Sequence, residues 1–424
     1  MASPHKNPLT VTAIIVLVVL IVITSLIVAN INFALRFPGG NVFMVHWLGF
    51  RKLITEGTSP YSQETLEAVQ TFAQTSGLVN PKIDIGRIVY PLYSVLIYLP
   101  FALVKDFVLA RALWMVVLEL NLLLLAYLSM KLSGWKTNTI VLVFYYLFAV
   151  LFFHSVIPVE SGNSAVLVAV FLAGGLLAVK NRADELAGVL FAFSAIKPQV
   201  VLFFSFFILI WSLRQRRQKI AIWFGFTLLL LILSSMLIQP DWIPQNLMEI
   251  FRYIQTGPVT NFQWALGEML PGFGSRVGWA AAAVLVLLLM VEWGLAARFR
   301  FKGFLFGAII TLLANQWMGL PSDVSNLIVL FPAIPVIFEA WSRRWQRAGG
   351  LYILICLFSL LIVIYIMYFN SLNSGYPAQL TPIMFLPLPV FLYIALYWSR
   401  WWILQPDSDL ALDAFRDEDQ AFFE

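Results

Sequence analysis

Long apolar runs make up most of this chain, and short polar stretches punctuate them. A helix needs about 20 apolar residues to cross a bilayer. Runs of this kind lie near 9–35, 90–104, 107–130, 138–154, 163–180, 185–213, 220–238, 277–297, 303–318, 323–341, 350–369 and 382–404, which predicts twelve spans. The run 185–213 carries Lys197-Pro198 in its middle, so it is one broken span or a hairpin of two short halves. One broken span keeps both chain ends on the same side. Two segments have a different period. Residues 36–89 contain two helix-like stretches, Phe43–Glu56 and Ser62–Ser76, and Ser62 is placed to cap the second. "DWIPQNLMEIFRYIQT" (241–256) alternates large apolar with polar positions, which predicts a helix lying on the membrane surface. The fold class expected is therefore an all-α polytopic membrane protein. Residues 1–404 form a single transmembrane domain, and 405–424 form an acidic cytoplasmic tail.

Composition strengthens this picture. Of 424 residues, 61% are hydrophobic and 12% charged, against about a quarter charged in soluble domains. The N-terminal run exceeds a signal-peptide core and has no small-residue cleavage site after it, so it reads as a first span. Cys356 is the single cysteine, which excludes a disulfide framework and thiolate metal clusters. His5, His46 and His154 have no metal-like spacing, and no metal or cofactor is expected.

The net charge of +5 hides a split: seven acids and Arg416 fall in 405–424, leaving 26 basic against 15 acidic residues elsewhere. The clusters "RQRRQK" (214–219), "RFRFK" (298–302) and "RRWQR" (343–347) read as cytoplasmic anchors. They put loops 36–89, 239–275, 319–322 and 370–381 outward, although Lys131 and Lys136 then run against the rule. This basic excess belongs to the membrane interface; no nucleic-acid partner is expected.

Five stretches could carry chemistry. "EGTSPYS" (56–62) holds Glu56 and Tyr61 in a turn, and "KIDIGRIVYP" (82–91) holds Asp84, Arg87 and Tyr90. A folded loop pinned at the membrane explains both and is the reading to prefer on these features alone. Lys197-Pro198-Gln199 is more specific. A lysine deep in a span is costly, and the proline frees backbone carbonyls there. A cation at a broken helix suits an anionic ligand such as a phosphate; a lysine snorkelling to an interface is the plainer reading. "HSVIPVESGNSAVL" (154–167) offers Glu160 and Asn163 in a polar turn at the start of a span. "NQWMGLPSDVSN" (315–326) offers Gln316, Trp317, Asp323 and Asn326, a mixture found both in sugar sites and at ordinary membrane interfaces.

The order of these motifs resembles glycosyltransferase family 87. These are polyprenyl-phosphate-mannose-dependent mannosyltransferases of the GT-C fold, with phosphatidylinositol-mannoside mannosyltransferases among their relatives. The resemblance runs from the first span through "EGTSPYS", "VYPLYSVLIYLPFAL", "ESGNSAVL" and "LAGVLFAFSAIKPQVVLF". It implies a GT-C-like bundle of about twelve transmembrane helices with a helical extracytoplasmic first loop. It implies inverting transfer of a hexose, mannose by resemblance, from a polyprenyl-phosphate-linked donor to a lipid or glycan acceptor. The reaction would take place at the outer face of a bacterial cytoplasmic membrane. Lys197 matches the family's Lys-Pro position and becomes the expected phosphate contact, with Arg51 and Arg87 as further candidates.

The family's first-loop acid falls at Val42, which cannot take a proton. Asp84 is the expected substitute, then Glu56, then Asp323; His46 matches a His/Tyr position that could orient the acceptor. Two other readings stay open. A transporter or lipid flippase would share the intramembrane lysine and broken helix. A catalytically inactive relative would explain Val42.

Overall fold

In a computed structural model of the chain, the residues described are 8–80, 87–256, 260–296, 301–372, 375–376 and 380–405. Asp84 and the acidic tail from 406 onward lie outside them. The described chain is all helical, with 18 α-helices and no strand among the described residues. Seven helices among these residues are long and apolar enough to cross a membrane: Val16–Arg36, Phe107–Ser133, Thr139–Ser161, Gln218–Ile238, Gly274–Ala296, Gly349–Ser371 and Pro382–Leu404. An eighth results if Val324–Leu330 and Ala333–Arg344, bent by 42°, count as one span. The protein is therefore an all-α polytopic membrane protein.

The twelve expected spans do not all reach full length. Leu92–Ala102, Ala165–Lys180, Pro198–Arg214 and Phe301–Asn315 are apolar helices of 10–17 residues, short of the roughly 20 that a straight crossing needs. Proline sets the start of two of them. Pro91 delays the start of one, and Pro198 opens another at its first helical position, where its missing N–H costs nothing. The run expected as one broken span becomes Asp184–Ser194 and Pro198–Arg214, with Ala195, Ile196 and Lys197 between them.

Two compact units divide the chain. The first comprises Met1–Asn121, Ile157–Ser164 and Ser234–Gly257. Its loop helices are Asn41–Glu56 and Gln63–Thr75, close to the two stretches read from the sequence. The Ser62 side chain accepts the Thr65 backbone N–H at 3.1 Å, as a helix cap does. Ser62→Ala should cost about 1 kcal/mol. Hydrogen exchange would read that as about fivefold faster exchange of amides in this helix; unchanged exchange would show that the cap contributes nothing.

An aromatic cluster forms the core of this unit. Trp114 stacks on Phe43 with centroids 5.8 Å apart and meets Tyr98 at 4.8 Å. Trp47 and Phe72 both meet Phe107, at 5.3 and 5.4 Å. Such rings bury a large apolar area with few side-chain rotations to freeze. Trp242–Thr256 is a helix as expected. It buries Trp242, Asn246 and Glu249 and exposes Leu247, Met248, Phe251 and Ile254.

The second unit comprises Leu122–Val156, Ala165–Leu233 and Pro258–Glu424. Two of its short helices are buried on almost every side. Phe301–Asn315 is buried throughout from Gly303 onward, and Ala165–Lys180 nearly so. A helix apolar all round belongs in such a position. Ala165–Lys180 and Asp184–Ser194 approach closely because Gly175 has no side chain. A Cβ there would lie 2.4 Å from the Phe191 ring.

Candidate functional site

In the first unit, the helix Asn41–Glu56 begins at a glycine pair. Gly40 adopts φ 71°, a conformation open to glycine at no steric cost. Asn41 ties this end to the loop: its Nδ2 donates to the Asn80 carbonyl at 2.8 Å, and its Oδ1 accepts the Asn80 N–H at 3.2 Å. Gly40 N–H donates to the Glu160 carbonyl at 3.0 Å. The turn Ser161–Ser164 is thereby held against the same helix end. Trp114 Nε1 donates to the Gly162 carbonyl at 2.9 Å, and Asn163, fully buried, donates its backbone N–H to Pro158 at 2.7 Å.

Val42 is half-buried in the first turn of this helix. One turn on, His46 is buried, with Nδ1 2.8 Å from the Val42 carbonyl oxygen. Its ring stacks on Tyr98 at 4.6 Å and meets Tyr90 at 4.5 Å. Tyr61 donates its hydroxyl to the Tyr90 carbonyl at 2.8 Å, and burial pushes that phenol well above its ordinary pKa. His46, Tyr61 and Tyr90 therefore form one neighbourhood.

The other first-loop candidates are committed elsewhere. Arg51 donates to the Ala102 carbonyl at 3.1 Å. Arg87 pairs with Glu249 at 2.9 Å and donates to Gln63 at 3.1 Å, while Arg252 holds the other Glu249 oxygen at 2.6 Å. Glu56 pairs with Lys52 at 2.5 Å. The hydrogen bonds from Lys52 to Glu56 and Glu64 raise the lysine's pKa above its usual value. Glu56 also stands at the opposite end of the helix from Val42, about 20 Å along the axis at 1.5 Å per residue.

In the second unit, the polar loop after Phe301–Asn315 meets the break before Pro198–Arg214. Lys197 is 1% exposed, and its Nζ donates to Asn326 Oδ1 at 2.6 Å. Asn326 Nδ2 donates onward to Ser322 Oγ at 3.0 Å. Asp323 caps the short helix Val324–Leu330, accepting the Ser325 N–H at 2.7 Å, and its charge acts on Lys197. Asn315 secures the break: its Nδ2 donates to the Gln199 and Val200 carbonyls at 2.9 Å, and its Oδ1 accepts the Phe203 N–H at 3.1 Å. The Asn315 amide thus bonds to backbone groups in the first turns of the helix that Pro198 opens. Gln316 is buried and reaches back to the Leu312 carbonyl at 3.4 Å. One face of Trp317 is covered by Phe262, stacked at 4.2 Å.

The segment 260–263 stitches the loop in place. Thr260, Asn261 and Gln263 donate to the Ser322, Gly319 and Trp317 carbonyls at 2.8, 3.1 and 2.8 Å.

Several residues at these centres escape a reading of the sequence. His154 is fully buried, its Nδ1 3.3 Å from the Val324 carbonyl oxygen. Arg111 is 1% exposed and donates to the Phe37 carbonyl at 2.9 Å. A lone arginine in an apolar run was the available signal. Nothing local says that it faces Gly39, where a Cβ would lie 2.7 Å from its Nη2 and 2.4 Å from Glu160 Oε1.

A family model for glycosyltransferase family 87 matches residues 89–315. No curated protein and no solved structure matches the chain. The matched region contains Tyr90, Tyr98, Arg111, the Glu160 turn, the Lys197 break and Asn315, and it spans more than half of the chain. This protein is a membrane glycosyltransferase that belongs to glycosyltransferase family 87.

Proposed function

We propose that the protein transfers a hexose, mannose, from a polyprenyl-phosphate-linked donor to the hydroxyl of a lipid or glycan acceptor, by inversion, at the outer face of the cell membrane. The observation that carries this reading is Lys197: a buried ammonium at a helix break, hydrogen-bonded to Asn326 at 2.6 Å, in a chain of this family. An ammonium is expensive among apolar helices and is kept where it meets an anion or a polar path. A phosphate leaving group gains negative charge as the anomeric C–O bond breaks, and a fixed cation in a low-dielectric setting stabilises that change.

In this reading the acceptor oxygen attacks the anomeric carbon, and its proton passes to a protein base. The bonding pair of the old C–O bond leaves with the lipid phosphate. His46, among the rings of Tyr90 and Tyr98, orients the acceptor. Gln199, Gln316, Trp317, Asp323 and Asn326 surround the donor's phosphate and sugar. Asp84 is the base expected from the sequence.

The test uses the purified full chain in lipid nanodiscs, with radiolabelled polyprenyl-phosphate-mannose and a bacterial lipid extract as acceptor source. The reading expects label to leave the donor and appear in a new lipid product. Donor that crosses the bilayer without being consumed would overturn it in favour of transport.

A further inference from the structure

We infer that Glu160 is the proton acceptor of the transfer reaction, standing in for the acid that Val42 cannot provide; this rests on the glycosyltransferase reading above. The inference starts from what the helix end at Gly39–Val42 has beside it. Glu160 Oε1 faces the Gly39 Cα so closely that a Cβ there would lie 2.4 Å away. Its backbone carbonyl is held by the Gly40 N–H at 3.0 Å. The residue is thus held through its main chain, and its carboxylate lies beside the start of the helix Asn41–Glu56. The positive end of a helix dipole favours a carboxylate there. Glu160 is half-buried and Val42, three residues from Gly39, is half-buried too. The place is neither sealed in the core nor open to bulk water.

Arg111 supplies the second observation. It is 1% exposed. Its Nη1 donates to the Phe37 carbonyl at 2.9 Å, and its Nη2 reaches the Glu160 carbonyl at 3.5 Å. Its Nε has no hydrogen-bond partner among the described residues, and a Cβ on Gly40 would lie 2.7 Å from that atom. A buried guanidinium with an unspent donor therefore faces the same glycine turn as the carboxylate. Glycine at 39 and 40 is what allows both groups to come so near the backbone. The guanidinium thus places positive charge beside that carboxylate.

The other described acids of this unit are committed to bonds: Glu67 accepts from Gln63 at 3.2 Å, Asp106 from the Leu109 N–H at 2.7 Å and Asp241 from Gln245 at 2.5 Å. Glu56 and Glu64 share Lys52 on the loop surface. Glu249 is buried between Arg87 and Arg252. Glu119 accepts from Asn30 at 3.0 Å, away from the glycine turn.

The step balances without a further reactant. The acceptor O–H proton moves to a Glu160 carboxylate oxygen. The acceptor oxygen bonds to the anomeric carbon, and the old bond's electron pair leaves on the lipid phosphate. The protonated Glu160 then returns its proton to water.

The experiment compares wild type with Glu160→Gln, Glu160→Asp, Asp84→Asn and the double variant Val42→Asp/Glu160→Gln. Each is the full chain in nanodiscs, and the rate of polyprenyl-phosphate-mannose consumption is measured with a lipid-extract acceptor. Glutamine keeps the side chain's shape and leaves the bonds to the residue-160 carbonyl from Gly40 and Arg111 untouched, so the fold should survive. Glu160→Gln is expected to lower kcat about a hundredfold to ten-thousandfold, with donor KM within about threefold of wild type. Glu160→Asp should keep part of the rate. The double variant should recover at least about tenfold over Glu160→Gln, because an aspartate at 42 projects from the same helix end; a merely structural role for Glu160 predicts no such rescue. An active wild type with an unimpaired Glu160→Gln, or a loss with no rescue by Val42→Asp, overturns the inference and leaves the transfer reading standing. Loss in Asp84→Asn alone moves the base to the first loop. A wild type that consumes no donor overturns the transfer reading itself, and the inference with it.

Discussion

Lys197→Met is expected to leave the protein folded and to lower turnover at least about a hundredfold. Both halves follow from the same burial. Lys197 sits at 1% exposure, with Asn326 Oδ1 2.6 Å from its ammonium. Holding a charge in such a place costs several kcal/mol of lost hydration, which protein partners recover only in part. Methionine has nearly the same length and needs no partner, so the relief of a buried charge opposes the roughly 1–3 kcal/mol lost by leaving Asn326 Oδ1 unsatisfied, and stability should change little. Function should move the other way. If the lysine stabilises charge that grows on the departing phosphate, its loss raises the barrier by about 3–4 kcal/mol.

Asn326→Leu provides the contrast. It keeps the cation and removes an acceptor, which should destabilise the fold by about 1.5–3 kcal/mol. Thermal unfolding and donor consumption, measured on both variants, decide the matter. A Lys197→Met protein that melts early, or that turns over within a few-fold of wild type, would assign the lysine to structure alone.

Gly162→Ala should produce a large loss of stability. Two separate costs fall on one methyl group. Gly162 has φ 72°, where an L-residue loses about 1–2 kcal/mol. The new Cβ would also lie 2.4 Å from the Phe43 Cβ. Phe43 is fully buried and stacked on Trp114, so it cannot move without disturbing the aromatic core. Forcing a methyl group into such packing costs about 1–3 kcal/mol more. The total, about 2–5 kcal/mol, should appear as a clear fall in melting temperature in detergent. Because the Glu160 carbonyl and the Gly162 carbonyl both anchor this turn, turnover should fall with stability. A variant within about 0.5 kcal/mol of wild type would match an ordinary surface substitution and would show that the turn is free to shift.

Whatever depends on neighbours in sequence was legible in the sequence. Runs of apolar residues announced a polytopic helical protein, since the cost of burying a peptide group or a charge in lipid is paid residue by residue. Ser62 as a helix cap was legible because cap and capped amide are three residues apart. The break at Lys197-Pro198 was legible because proline removes a donor wherever it stands. Full span length was less so: hydropathy marks an apolar stretch, but Pro91, Pro198 and the kink near 330 decide how much of it is helix.

The tertiary structure alone decided the partners. Lys197 and Asn326 are 129 residues apart, and Asn315 reaches 116 residues back to the Gln199 carbonyl. Arg87 looked free to meet a phosphate and is instead bound to Glu249, 162 residues on. Arg111 and Glu160 each read as one polar residue in or beside an apolar run, yet both face the glycine turn ahead of Val42. Composition and periodicity are local quantities, and they determined the class of fold and the positions of its breaks. A buried polar group is satisfied by whichever distant segment packs beside it, so the pairings that define these two centres exist only in the folded chain.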